Sequence, residues 1–578
     1  MHKKNAPYSC IPLLLLLMLL SACGNTKHPP GSDIASTPEQ LEEKVTGNIR
    51  QLLDYAAANK GWLNDSVPLF NAGLIKQVYD KNQFAALWSS KEQWRAQGDS
   101  LLQLVGKAKL YGLFPAHYYF SILDSVNQQF LQDSLSKSAR RDAALWSTAD
   151  LLLTNAFFHI IKDVKLGRLP NDSITLRKDT TLTDQFYIQQ LEAFQKGNSL
   201  ASIIAALEPQ HEGYRLLKAG IPQFLDNADY KPYTKLPSSK DPGFKALLQK
   251  RLLEGGYLAN DSTQADSLEL AEAVKKFQKQ KNITVDGKAG EGTIRMLNTS
   301  DEDKFYSIAI TMDRYKMLPP KLPERYIWVN LPSFSMKVQE KDSVKLISKI
   351  VCGKAITRTP VLNSAVSEII TYPQWTVPTS IIVKEILPAV KRNPGYLAKK
   401  GFSLVDKNGE EVDPYTVDWA KYSKSIPYRV VQGSGDANAL GVLKFNFPNK
   451  YAVYLHDTNQ RSLFGQVVRT FSHGCVRVQE WQKLADYIIR KDRVEVGSKV
   501  ALLDSMSAWL KKKEKHSIPI RNRLPVYIRY FTCEGKPGGI AFYDDIYGED
   551  KMLRERYFAA GSGIAGKTKA ITEKKTLQ

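Results

Sequence analysis

The chain has 578 residues, 43% of them apolar and 24% charged. That balance supports sizeable buried cores and three or four domains of about 150 residues, and it excludes a wholly disordered, collagenous or multi-span membrane protein. A formal charge of +21 invites any polyanionic partner, and five cysteines are too few for a dense disulfide scaffold.

Residues 1–22 read as an export signal. His2, Lys3 and Lys4 form a basic start, and the apolar run from Ile11 to Leu20 has signal-peptide rather than membrane-span proportions. The run ends in Leu20-Ser21-Ala22-Cys23. This resembles the lipobox of bacterial lipoproteins, in which the cysteine is acylated and begins the mature chain. Ordinary secretion with cleavage nearby is the alternative. Gly24 follows Cys23 in place of a retention aspartate, so the expected location is the bacterial cell envelope, as a periplasm-facing lipoprotein of the outer membrane. Cleavage discards Cys10 and lipidation consumes Cys23. Cys352, Cys475 and Cys533 then remain as thiols, and a Cys352–Cys533 disulfide stays open. Residues 23–38 are polar and rich in Gly, Pro and Ser, as a flexible tether would be.

Residues 39–235 carry helical apolar spacing and no ligand-forming constellation, which predicts a helical scaffold or partner surface. Residues 241–298 hold two helical patterns, then Asp286-Gly287-Lys288-Ala289-Gly290-Glu291-Gly292-Thr293 and a short last helix with Thr293 as its predicted cap. With Gly256-Tyr257 and Phe277-Gln278, this segment resembles the type 1 peptidoglycan-binding domain, a module that serves as binder or as spacer.

From residue 325 the period changes to that of strands, and a mainly β domain is expected over 325–510. Residues 386–430 are polar, without clear period, and read as an insertion. WQKLADYIIRKD is a predicted helix and KVALLD a predicted strand. Residues 516–555 are expected as a C-terminal extension packed on this domain, and 561–578 as a flexible tail.

The chemistry concentrates between His456 and Arg477. If Leu455 points into a core, period two sends Tyr454 and His456 together to the other face. A turn of the intervening length can return His456 to Cys475, which pairs a thiol nucleophile with an imidazole base. Gly474 allows close backbone approach, and Arg477 can favour a thiolate or hold a carboxylate. Local spacing alone also allows a buried structural cysteine, or a metal held by Cys475, His473 and His456, although that set lacks a standard zinc spacing.

Ser472-His473-Gly474-Cys475-Val476-Arg477 with His456 upstream resembles the signature of the L,D-transpeptidase, or YkuD-like, catalytic domain. Gln432, Gly435, Asn438-Ala439-Leu440-Gly441, Phe445, Phe447-Pro448-Asn449, Tyr454-Leu455-His456-Asp457-Thr458 and Tyr372-Pro373, Trp375, Val377-Pro378 narrow it to the large multidomain branch. That branch joins a helical scaffold, a small three-helix peptidoglycan-binding-like domain and a mainly β catalytic domain with a capping insertion, so the fold class is multidomain α+β.

The resemblance implies that Cys475 attacks the donor tetrapeptide stem, releases D-Ala, and passes its thioester to an acceptor amine, giving a 3→3 cross-link. It implies His456 as base then acid, and the Asp457 carbonyl as its orienting group. Amides near Gly474 and Cys475, with Tyr454, would form the oxyanion site. Arg477, His473, Ser472, Asn438 and Phe447 are expected to position loop or substrate; Trp375 and Tyr372 either line the groove or pack. The insertion is expected as a lid.

No cofactor and no metal is expected. Carbapenem-type β-lactams are expected covalent inhibitors at Cys475, and cell-wall synthases or hydrolases are candidate partners. The competing readings are an L,D-carboxypeptidase or amine-exchange enzyme of the same fold, and a non-catalytic cell-wall-binding lipoprotein. No nucleic-acid-reading motif accompanies the positive charge.

Overall fold

The computed structural model describes residues 31–559 apart from 65–66, 136–139, 170–180, 260–265, 282 and 496–500. The signal segment, Cys23 and the tail 561–578 lie outside the described residues. The chain divides into two compact units, the first reaching Pro209 and the second running from Gln210 to Arg554.

The first unit is built on the helix Ala143–Lys165, which is apolar almost all round and buried on most of its faces. Its length and composition would suit a membrane span, but 83% of its apolar window is buried in protein, as in a core helix. Asp142 caps it through Ala144 N at 3.1 Å. Ile34–Ala35 pairs antiparallel with Arg141–Asp142, and Asp33 is bound by Lys44 Nζ at 2.7 Å. The last residues of the segment read as tether are thus part of this fold. A polar residue can serve as a cap or an ion-pair partner, which composition does not distinguish from a linker.

The second unit begins with the helix Glu212–Asn227, which sequence grouped with the 39–235 scaffold. Its face packs on the hairpin Cys533–Lys536 and Gly539–Phe542. Residues 244–298 then form three helices, Phe244–Glu254, Ser267–Gln280 and Glu291–Asn298, around Leu252, Ala273, Val274, Phe277 and Leu297. Buried Gln278 explains the Phe-Gln and Asp-Gly pattern: its Oε1 accepts from Asp286 N (3.0 Å) and Gly287 N (2.9 Å), while its Nε2 donates to Asp286 Oδ1, Lys288 O and Thr293 Oγ1. Thr293 is therefore spent inside the turn. The cap of the last helix is Gly290, without a side-chain bond, so the expectation for Thr293 is corrected.

The largest sheet comprises β1 (Arg325–Asn330), β2 (Ser335–Glu340), β3 (Ser343–Gly353), β4 (Leu362–Thr371), β5 (Leu443–Asn446), β6 (Leu455–His456), β7 (Thr470–Ser472), β8 (Val476–Val478) and β9 (Ser517–Arg529). The order is β7-β3-β8-β6-β5-β4-β9-β1-β2, and the long strand β3 pairs with β2 through one half and with β8 through the other. The sheet thereby closes on itself around Val329, Val338, Val366, Phe445, Leu455, Val476 and Val526.

Two expectations change here. Residues 517–529 are not an extension laid on the domain. β9 lies inside the sheet, antiparallel to β4 and parallel to β1. The described part of KVALLD is not a strand, since Ala501–Lys512 is helical and buries Leu503 and Met506. A short apolar run fits either element, and the i, i+3 spacing decides only once the partner surface is known.

The insertion is larger than 386–430. Trp375–Thr376, Arg429–Gln432 and Phe402–Val405 form a three-stranded sheet with Arg429–Gln432 in the middle. The helical run from Thr379 to Arg392, which includes a π turn over Ile382–Ile386, packs on it. This cap has its own core of Val377, Ile386, Val390, Leu397, Leu404, Trp419 and Val430. Its elements are too short to show a period in sequence.

Candidate active site

Two strand pairings build the site. β6 runs parallel to β8 with Leu455 opposite Val476 and His456 opposite Arg477. β5 runs antiparallel to β6 with Lys444 opposite His456. Phe445, Leu455 and Val476 are completely buried in the core. Alternation then sends Lys444, Tyr454, His456, Cys475 and Arg477 to the opposite face. The predicted joint placement of Tyr454 and His456 is what the structure has, with their rings 5.7 Å apart in a T-shaped contact.

Cys475 stands between β7 and β8, half-exposed. The turn that carries it closes through Ser472, whose Oγ donates to Cys475 O (2.6 Å) and accepts from Gly474 N (3.2 Å). Gly474 takes φ +122°, where an L side chain is strained. Ser472 therefore shapes the turn, and it occupies the Gly474 amide. The Cys475 amide donates to no carbonyl or side chain among the described residues and is the available donor there.

The thiol faces Ala452 O at 3.8 Å. Ala452 has φ +53°, and its turn is stapled by Asn449, which accepts from Tyr451 N and Val453 N and donates to Val453 O. This gives the Pro448-Asn449 pattern a physical purpose. Burial raises the Cys475 thiol, and hydrogen bonding from Tyr454 and the charges of Lys444 and Arg477 act against that rise.

His456 is buried, and its Nδ1 has no hydrogen-bond partner among the described residues. Burial lowers its pKa to about 3, Arg477 adding to the effect and backbone groups of Asp457 and Leu440 opposing it. A histidine kept neutral below its unfolded value of about 6.5 costs stability in acid, because the unfolded chain takes up a proton that the folded one refuses. Stability should thus fall as pH drops from 6.5 toward 3. In paired denaturant titrations at pH 7.5 and 5, His456→Gln should lose about 2 kcal/mol less than wild type. Equal losses would contradict the neutral buried imidazole.

The Asp457 carboxylate is turned into the 438–442 loop. Its Oδ2 accepts from Val442 N at 3.0 Å, and Arg461 pairs with its Oδ1 at 3.0 Å. Arg477 donates from Nη1 to Gln460 Oε1 at 2.9 Å, while its Nε is buried without a partner. His473 leaves the face altogether, and its Nε2 meets Glu385 Oε1 of the cap at 2.5 Å. Trp375, at the base of the cap, is half-buried; its side chain is hydrogen-bonded to that of Tyr454.

Asn438, Phe447 and Tyr372 are buried supports, the loop-positioning or packing side of what was expected of them. Asn438 bonds the carbonyls of Pro373, Gln432 and Gly433 and accepts from Leu440 N. Phe447 is in the core. The Tyr372 hydroxyl donates to Asp436 Oδ1 at 3.0 Å. Lys444 and Glu385 were not singled out from sequence. Alternation around Leu443 and Phe445 places Lys444 outward, but only the β5–β6 register sets it on this face.

All three remaining cysteines are free thiols. Cys352 and Cys533 are buried and do not pair with each other. Burial pushes the Cys352 thiol up to about 12, and Cys533 donates to Ser307 O at 3.4 Å. Cys475 is the accessible one.

Three family models match the chain. Residues 324–496 match the L,D-transpeptidase catalytic domain, 246–297 a domain described as "Putative peptidoglycan binding domain", and 73–220 a scaffold domain. A Haemophilus influenzae protein named "Putative L,D-transpeptidase" is 35% identical over 246 residues, which is 43% of this chain and 48% of the relative. The chain thus spans about half the length of this curated relative. A crystal structure of the L,D-transpeptidase of Xylanimonas cellulosilytica, residues 123–326, aligns at 14% identity over 52% of this chain and 100% of that one, with a TM-score of 0.14, too low to carry an argument.

Proposed function

We propose, for a multidomain chain that carries an L,D-transpeptidase catalytic domain, a peptidoglycan-binding domain and a scaffold domain, that it forms 3→3 cross-links between peptidoglycan stems through a Cys475 thioester. The observation that carries this reading is one accessible thiol on the same sheet face as a buried neutral imidazole. Cys475 sulfur attacks the carbonyl between the third residue of a donor tetrapeptide and its terminal D-Ala. His456 takes up the thiol proton and delivers it to the departing amine. The acceptor side-chain amine then attacks the thioester, His456 removes its proton, and the thiol is restored. The Cys475 amide and the Tyr454 hydroxyl are read as the donors that stabilise the oxyanion. The cap over 375–432, with Trp375 against Tyr454 and Glu385 on His473, is read as the lid that keeps water from the thioester.

The helical module over 244–298 is read as the peptidoglycan contact, Cys23 as the lipid attachment to the outer membrane, and Cys475 as the target of carbapenem-type β-lactams. Cell-wall synthases or hydrolases are proposed for the scaffold surface. The test is muropeptide analysis after incubating the protein with tetrapeptide-containing glycan. Dimers that have lost one D-Ala are expected. Tripeptides without dimers would instead identify a carboxypeptidase, and an unchanged profile would refute both.

A further inference from the structure

The nucleophile–base pair by itself leaves open what stabilises the negative charge that forms on Cys475 as its proton leaves. A buried imidazole held neutral cannot supply a standing positive charge beside Cys475. Two permanent cations share the face. Arg477 lies in register with His456, with one guanidinium nitrogen committed to Gln460. Lys444 lies opposite His456 on the neighbouring strand.

Lys444 is half-buried, and its ammonium has no hydrogen bond or ion pair among the described residues. It stacks on the Tyr454 ring, with Nζ 3.9 Å from the centroid. Tyr454 is hydrogen-bonded to Cys475. The carboxylate whose charge acts on it is Glu368 on β4, and that group is already held by Asn446 Nδ2 at 2.7 Å and by Ser517 Oγ. A cation stacked on a phenol and lacking a counter-ion keeps its field for the remaining neighbour, the thiol.

We propose that Lys444 is a positioning residue that acts through Cys475: from the shared sheet face its ammonium stabilises the thiolate as His456 takes up the thiol proton. The other groups facing Cys475 are Tyr454 and His456 from β6 and Arg477 from β8. His473 of the same turn is engaged by Glu385 of the cap. Burial lowers the Lys444 ammonium and raises the thiol, and each group's charge opposes the other's shift, as expected for neighbours that stabilise each other's ionised forms. The inference rests on Cys475 being the nucleophile of the proposed reaction and deepens that reading.

The test needs no peptidoglycan. The full chain is alkylated with iodoacetamide across a pH series, and modification of the Cys475 peptide is followed by mass spectrometry. Cys352 and Cys533 are buried and serve as internal controls. In Lys444→Met the midpoint should rise by about one pH unit or more, with about a tenfold slower reaction at pH 7. Lys444→Gln should shift in the same way, and Lys444→Arg should restore the wild-type profile. Superimposed profiles for wild type, K444M and K444Q would overturn the proposal, as would failure of K444R to restore. A Lys444-dependent profile in a protein that releases no D-Ala would refute the transpeptidase reading and leave the role of Lys444 standing.

Discussion

Replacing Cys475 by alanine should lower D-Ala release and dimer formation by roughly 10⁴-fold or more, with the fold intact. In the proposed reaction the thiol carries the acyl group, and among the described residues no other thiol lies on that face. Cys352 and Cys533 cannot substitute, since both are buried and burial keeps their thiols protonated. The substitution should be structurally mild. Cys475 is half-exposed, and its sulfur is held only by a long contact to Ala452 O at 3.8 Å and by hydrogen bonding from Tyr454. The turn is held by the Ser472 hydroxyl through backbone atoms that alanine retains. The thermal midpoint should therefore move by no more than about 2 °C. Full cross-linking by C475A would remove the covalent mechanism. A collapsed melting curve would mean that the residue is structural.

Gly441→Ala should cost about 2–4 kcal/mol of stability and roughly 10–100-fold in turnover measured well below the melting point. Gly441 has φ +63°, and a Cβ there would lie 2.3 Å from Asp457 Oδ2 and 2.6 Å from Thr458 N. The second contact is to backbone, which cannot swing aside. Relief requires the 457–458 segment to move, and that segment continues directly from His456. Asp457 would also lose its seat against Val442 N. Gly433→Ala is the matched control, because its added Cβ meets nothing within 4 Å. Melting curves and D-Ala release on both variants decide the matter. Parallel small effects would show that the Gly441 loop does not support the imidazole.

The elements with strong local signals were legible without the fold. The helices of residues 244–298 follow from apolar spacing and the Asp-Gly turn. The outward placement of Tyr454 and His456 follows from alternation about Leu455. Ser472 to Arg477 carry their chemistry in adjacent residues. Elsewhere local signals were ambiguous. Thr293 looked like a cap and is a buried acceptor for Gln278. Asn438 was open between loop and substrate and Tyr372 between groove and packing, and both hold a loop together.

What the sequence by itself determined is the local placement of the candidate residues, Tyr454 and His456 on one strand face and Cys475 in the Ser472–Arg477 turn, because a turn and a two-residue period are set by nearest neighbours along the chain. The tertiary structure alone decided what surrounds them. Lys444 reaches the face through the β5–β6 register, Trp375 and Glu385 reach it from a cap with a core of its own, and β9 enters the middle of the sheet from a segment that read as an appendage. Strand register and inter-element packing depend on hydrogen bonds and buried area between segments far apart in the chain, and composition along one segment does not encode its partner.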